Sequence, residues 1–585
     1  MPRKLIALLS SPRLTLVALA VAVMLSLPAL KAGIWFDDLL QRARLLKLEP
    51  YYDGRSPYLS MFEFITPDRA SDPALIKRGL YPWYASPLAK VGFFRPLSVA
   101  AARLDYALWP NNFFLQHLHS LLWYALAVLI VGRIYYRLPG PRVVAGLALL
   151  LFAVEDSHAM PVEWLANRNS LIALVWAGLG LLFHLEWRQT HSLLHLFAAL
   201  AGLTLGLFSG EAALGVFAYL VSYQLVLDPG SFLARLGRLL PYLGVIVAWR
   251  LIYSRLGFAT SHTAYYIDPA RTPLDFAAAL LTRAPLLIVC QWFQAPGDIL
   301  NFISYQSILV ASLLAGVATL FLIWAFWPLL RQKPEARFWA LGMVLALVPL
   351  CAAFPMNRLL LFAGIGAFGL LSLLAFETGL LGAEPTLSGW RRSLARILIF
   401  LHLWIAAFLL PLGILFWDFT GRAHERIQSQ IPADPSIEHK TLFWINSNFL
   451  TSYYIQIRAL NHGPVPGATY NLGLLSSSLQ VSRIADNRLR LRQQNGFMSG
   501  KLDELEWDPA SPFRVGQRIS RPEFDVQVLD ITPDGRPLTA EFTFRKSLDS
   551  PDYLWMCFGG SGGAGCHSCS PPPLGQTQTF SPSWF

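Results

Sequence analysis

Two aspartates, Asp37 and Asp38, stand in "KAGIWFDDLLQRARLL", directly after the first long apolar run of the chain. Ionisable groups at the edge of a lipid-spanning segment cost free energy, so in membrane proteins they usually mark function. A second polar cluster, "VEDSHAMPVEWLANRN", supplies Glu155, Asp156, His158, Glu163, Arg168 and Asn169. A further carboxylate, Glu211, lies in "FSGEAAL", and a cation, Arg358, in "FPMNRLLLF". Convergent carboxylates can deprotonate an acceptor hydroxyl, or hold a divalent metal that neutralises a phosphate leaving group. An arginine at a lipid boundary can pair bidentately with a lipid phosphate.

Each residue also has a plainer reading. Asp37 and Asp38 can begin the helix that follows, because Asp suits a helix start. The cluster from Glu155 to Asn169 can be a solvated loop with helix caps. Glu211 can pair with a neighbouring arginine, and Arg358 can be an interfacial anchor. Their coincidence on one face of the molecule is what favours chemistry.

The elements that must hold these residues are mostly membrane helices. Of 585 residues, 54% are hydrophobic and only 14% charged, with a mean hydropathy of +0.44. A soluble globule carries nearer a quarter charged residues. The net charge of +11 forms no stripe or arm, which argues against nucleic acid as a partner. The basic residues fall between apolar runs, where they set orientation.

Those runs, at 14–30, 113–134, 143–154, 170–183, 193–208, 212–227, 239–253, 303–330, 338–354, 359–375 and 394–416, predict about eleven spans. Arg3, Lys4 and Arg13 put the N-terminus in the cytoplasm, with the first run kept as an anchor. Four loops then fall on that same side: Arg133/Arg137/Arg142, Arg235/Arg238, Arg331/Lys333/Arg337 and Arg391/Arg392/Arg396. The run 275–293, with Arg283 and Pro285, is read as an interfacial or re-entrant helix on the outer face. The aromatic-rich loop 34–112 suits short helices at the membrane surface.

From about residue 419 polar residues appear throughout, and "FDVQVLDITPDGRPLTAEFTFRK" reads as a β-hairpin. Phe524, Val526 and Val528 alternate with polar residues, as do Leu538, Ala540, Phe542 and Phe544. The expected fold is therefore an all-α polytopic membrane domain, 1–418, a small β-rich extracytoplasmic domain, 419–558, and a flexible Gly/Pro/Ser-rich tail, 559–585. Cys290 and Cys351 read as packing residues, while Cys557, Cys566 and Cys569 favour a disulfide over zinc in an oxidising compartment.

The order of these motifs resembles the C-type (GT-C) family of integral-membrane glycosyltransferases. That family includes protein O-mannosyltransferases, the aminoarabinose transferases of lipid A and the bacterial relatives of tetratricopeptide-bearing mannosyltransferases. "FDDLLQRARLL" is similar to the family's first-loop acidic motif, and "EDSHAMPVEWLANRNSLIALVWAGLGLLFH" to its second outer loop. "FFRPLSVAAARLDYALWPNNFFLQHLHSLLWYALAVLIVGRIYYRL" resembles the approach to the second span, and "FPMNRLLLFAGIGAFGLL" a late arginine-bearing turn. Two departures stand out: Ser209-Gly210-Glu211 where relatives often have Ser-Lys-Glu, and His158-Ala159-Met160-Pro161 where they often have His-Pro.

The resemblance implies inverting transfer of a sugar from a polyprenyl-phosphate donor to a lipid, glycan or protein acceptor. It places this on the outer face of a bacterial cytoplasmic membrane, among membrane lipids. Asp37 or Asp38 would be the general base and Arg358 the phosphate contact. Glu155, Asp156, His158, Glu163, Arg168 and Glu211 would support acceptor, donor or metal, with dependence on a divalent metal left open. The alternatives are a surface-polysaccharide polymerase or ligase, and a non-catalytic transporter or assembly subunit.

Overall fold

The computed structural model describes residues 3–303, 305–387, 389–447, 451–558 and 565–581. The first part of the chain is helical. Among the described residues, seven helices are long and apolar enough to cross a bilayer, or eight if the bent pair Arg142–Ala153 and Asp156–Glu163 is one span. This is fewer than the eleven expected. The reason is length: Leu193–Leu207, Glu211–Val226 and Leu361–Glu377 are apolar but short of the roughly 20 residues that a hydrocarbon core requires.

Lipid is the solvent these helices need. On the helix Gln306–Gln332, Leu309, Val310, Leu313, Leu314, Val317 and Leu320 are all exposed. A contiguous apolar face of that kind belongs against acyl chains, and the chain is an integral membrane protein. Between helices the driving force is close packing. A Cβ on Gly180 would come within 2.9 Å of the Ala199 carbonyl, and one on Gly202 within 2.6 Å of the Gly180 nitrogen. Helices Asn169–Thr190 and Leu193–Leu207 therefore touch backbone to backbone, as small residues allow in membranes.

The helix Pro273–Phe293 is long and apolar enough for a span. Its flanks nevertheless meet: Tyr265 Oη donates to Asn301 Oδ1 at 3.1 Å, while Ile267 N and Gly297 N reach the neighbouring Ala352 carbonyl and Asn357 Oδ1. The excursion leaves and returns at one place.

The loop 34–112 is ordered into short pieces. Helices Asp37–Leu45, Pro57–Ser60, Pro67–Ala70, Pro73–Lys77 and Pro96–Leu108 alternate with strands Glu63–Ile65 and Lys90–Gly92. Four of these helices begin with proline, whose missing N–H is no loss at a first turn. Lys90–Gly92 sits between Glu63–Ile65 and Thr260–Ser261 in a three-stranded antiparallel sheet.

The last membrane helix runs from Trp390 to Ser429 and leads into two packed sheets. One has four strands, in the order Cys566–Ser568, Tyr553–Phe558, Thr441–Ser447, Ala468–Leu474. The last two are parallel and are joined by the crossover helix Thr451–Leu460, as a parallel pair requires. The other has six strands, ordered Thr577–Phe580, Leu479–Ala485, Arg488–Gln493, Pro537–Phe544, Phe524–Ile531, Arg518–Ser520. The hairpin forms with Phe542 opposite Val526 and Phe544 opposite Phe524. Its register slips at Thr539, so Leu538 is only half-buried while Ala540 is buried.

The tail was expected to be flexible from 559 onward. Residues 559–564 and 582–585 lie outside those described, but Cys566–Ser568 and Thr577–Phe580 are paired strands. A Cys557–Cys569 disulfide ties the tail back, leaving Cys566 free and buried, like Cys290 and Cys351.

Candidate active site

A cavity of about 180 Å³ lies between the first loop and the C-terminal domain. Asp37 lines it from the start of helix Asp37–Leu45, beside Leu40, Phe64 and Tyr266. Tyr81, Pro82 and Tyr84 form another part of the wall. Trp83, next to them, points away into the core of the C-terminal domain, where its Nε1 donates to the Leu472 carbonyl at 2.9 Å. The rest of the wall comes from that domain: Tyr453, Gln456, Asn471, Leu502, Asp503, Leu505 and Glu506.

The two aspartates have different fates. Phe36, at φ +48°, turns the chain sharply just before them. Asp37 keeps some surface open, and Tyr453 Oη donates to its Oδ1 at 3.3 Å. Burial raises its pKa to about 6, against the opposing pull of Arg358, the Tyr453 hydrogen bond, Arg95 and Arg44. Asp38 is 3% exposed and does not line the cavity. Its Oδ1 accepts from Ala166 N at 2.7 Å and its Oδ2 from Trp35 N at 3.4 Å. Burial pushes it up to about 8.

Arg358 is half-buried and lies 5.2 Å over the Trp164 ring. Its Nε donates to Met356 Sδ at 3.4 Å, and among the described residues no carboxylate is within ion-pair distance of it. Arg95 pairs with Glu211 at 2.8 Å and stacks on Phe93, with its guanidinium 4.4 Å from the ring centre. Arg44 is fully buried and gives hydrogen bonds to the Ser60 and Met61 carbonyls, leaving Nε and Nη2 without a partner among the described residues. Three guanidinium groups thus share the neighbourhood of Asp37.

The second acidic loop meets the first. Trp35 Nε1 donates to Glu163 Oε1 at 2.8 Å, and the Trp35 and Trp164 rings stack at 5.0 Å. Only Asp37 among the predicted acids reaches the cavity, however. Glu155 is buried against His402 at 3.0 Å and Gln294 at 3.1 Å. His158 is buried against Tyr124, 3.2 Å away. Asp156 is half-buried, and its Oδ1 has no partner among the described residues. Arg168 pairs with Asp105 at 2.6 Å. These residues hold the loops together.

Among the described residues, no group of three or more His, Cys, Asp or Glu side chains is arranged to hold a metal ion.

Several wall residues escaped the sequence reading. Tyr453, Gln456, Asn471, Asp503 and Glu506 lie far along the chain, inside what reads as an independent β-domain. Arg95 and Arg44 looked like ordinary charges of a surface loop. One signal was there: "TSYYIQIRAL" is a helix-like run between strands, with tyrosines that a solvated loop does not need.

No family model matches the chain, and no curated protein does. Among solved structures it is similar to ArnT. That structure is ArnT from Cupriavidus metallidurans bound to undecaprenyl phosphate, 12% identical, covering 77% of this chain and 84% of that one, with a TM-score of 0.35. At that TM-score no residue role or ligand is carried over, and the chemistry rests on the cavity itself.

Proposed function

We propose that the chain is a membrane glycosyltransferase that moves a sugar from a polyprenyl-phosphate donor to an acceptor hydroxyl. The observation that carries this reading is Asp37: a carboxylate on a cavity wall, held by Tyr453, with Arg358, Arg95 and Arg44 as its charged neighbours. In the reaction, the acceptor oxygen bonds to the anomeric carbon as its proton passes to Asp37. The bond from that carbon to the phosphate oxygen breaks, and the electron pair leaves with the polyprenyl phosphate. The arginines lower the cost of that anion; Arg95 is paired with Glu211 and Arg44 is buried against two carbonyls, so the half-buried Arg358 is the natural phosphate contact. A base with a pKa near 6 is ionised at neutral pH yet still proton-hungry in the transition state.

In this reading the prenyl tail stays in lipid, and the catalytic loops and the C-terminal domain face outward from a bacterial cytoplasmic membrane. The acceptor is a lipid, glycan or protein. The carboxylate network of Glu155, Asp156, Glu163 and Glu211 positions the loops and takes no proton from substrate.

Lipid analysis of a strain lacking the chain tests this. We expect a prenyl-phosphate sugar to accumulate and an envelope modification to disappear. Wild-type chain should reverse both, whereas Asp37→Asn should insert normally and turn over about 10²–10⁴-fold more slowly. An unchanged prenyl-phosphate sugar pool would end the transferase reading.

A further inference from the structure

Besides Tyr453, the C-terminal domain brings four polar side chains to the cavity wall, two amides and two carboxyls. Gln456, on the crossover helix, is 1% exposed, and its Oε1 has no partner among the described residues. Asn471, on the adjoining strand, is 8% exposed, and its Oδ1 is likewise unpartnered. Both side chains line the cavity. A buried amide oxygen without a donor is costly, so two on one wall point to a ligand that brings donors.

Two carboxyls join them. Asp503 accepts from Gly500 N at 3.2 Å, and Glu506 is half-buried at the same wall. Among the described residues no cation lies within ion-pair distance of either, in contrast to the arginines around Asp37. Burial raises Asp503 to about 7 and Glu506 to about 8. Near neutral pH Glu506 is therefore mostly protonated and Asp503 about half so. Each protonated carboxyl both gives and accepts a hydrogen bond, which is the pattern of a hydroxyl group.

The size is restrictive. A cavity of about 150 Å³ takes one benzene ring, and this one is about 180 Å³. It has room for one ring. Tyr81 and Tyr84 offer aromatic surface to the apolar face of such a ring.

We infer that Gln456, Asn471, Asp503 and Glu506 form the sugar-recognition wall of the site, binding the donor's single neutral, hydroxyl-rich ring while its phosphate lies toward Arg358. This rests on the transferase reading above, and it makes the C-terminal domain a constituent of the site.

The test uses the full chain in lipid nanodiscs. Affinities are measured for undecaprenyl phosphate and for its glucose, galactose, mannose and glucosamine conjugates. At least one neutral hexose conjugate should bind wild type about tenfold more tightly than the bare lipid, the scale of one or two added hydrogen bonds. Gln456→Met, Asn471→Leu and Glu506→Met should erase that margin and leave bare-lipid affinity unchanged. Glu506→Gln should retain most of it, because a carboxamide replaces a neutral carboxyl. Loss of both affinities together, or of neither, overturns the wall. So does a preference for the glucosamine conjugate that Glu506→Gln abolishes, since the wall would then read charge. If wild type binds neither bare nor glycosylated lipid, the transferase reading itself fails.

Discussion

Asp37 and Asp38 are chemically identical neighbours with opposite surroundings. Asp38 has both oxygens committed to backbone N–H groups and joins the first loop to the second. Asp37 has one tyrosine hydroxyl and an open side. Burial lifts its pKa to about 6, and Arg358 is the strongest influence holding it from rising further. A base works in its ionised form, so kcat/KM should be level above the pKa and fall about tenfold for each pH unit below about 6. Removing the Arg358 charge takes away an attraction that lowers the pKa, so Arg358→Gln should move this acid limb to higher pH. A pH–rate profile of the two proteins checks it. An unmoved limb would mean that Arg358 does not act on the base.

The elements that matter most are those joining the first loop to the C-terminal domain. Gly79, at φ +74°, brings the loop against the strand Ala468–Leu474, and a Cβ there would lie 3.1 Å from the Thr469 methyl and 3.2 Å from its carbonyl. Gly54 has the same φ with nothing within 4 Å. Valine at either position bears the left-handed backbone cost of about 1–3 kcal/mol. Only Gly79→Val also strains the junction, so it should lower the Tm well beyond Gly54→Val. It should also impair turnover, because Gly79 lines the cavity. Equal shifts in the two variants would mean that this junction contributes nothing.

Much of this layer was legible in the sequence. The first-loop acids, the second acidic loop, the hairpin and the aromatic run at Tyr81–Tyr84 are local patterns, set by residue type and short-range period. Phe524, Val526, Phe542 and Phe544 alternate because one face of a sheet is dry. What stayed hidden depends on contacts distant in sequence. The bulge at Thr539 reverses an apparent alternation, and Glu155 finds His402 across 247 positions. Gln456 and Asn471 become wall residues only because a parallel crossover turns them toward the loop. The shortness of several apolar runs was visible, and 275–293 reads as a helix with both flanks on one face; the partners that join those flanks, Asn301, Ala352 and Asn357, were not legible.

At the scale of the whole molecule, the contacts fix which parts share a face whatever the membrane's orientation. Trp83 of the first loop lies in the core of the C-terminal domain, and Tyr453 of that domain bonds Asp37. The first loop and the C-terminal domain must therefore stand on one side, with an even number of crossings between residues 31 and 420. Pro273–Phe293 meets that condition by leaving and returning at Ala352 and Asn357. In the proposed orientation the basic loops at the other ends of the helices lie in the cytoplasm, where arginine and lysine are retained. Single cysteines placed at exposed positions report both. Ser56→Cys and Val515→Cys should react with an impermeant thiol reagent from outside the cell. Pro139→Cys and Gln332→Cys should react only after the membrane is opened. The three native free thiols are buried and should stay silent. If all four labels reverse together, the site faces the cytoplasm and a donor in the outer leaflet is ruled out. If Ser56 and Val515 label from opposite sides, the cavity between loop and domain does not exist in the membrane, and the transferase chemistry built on it falls.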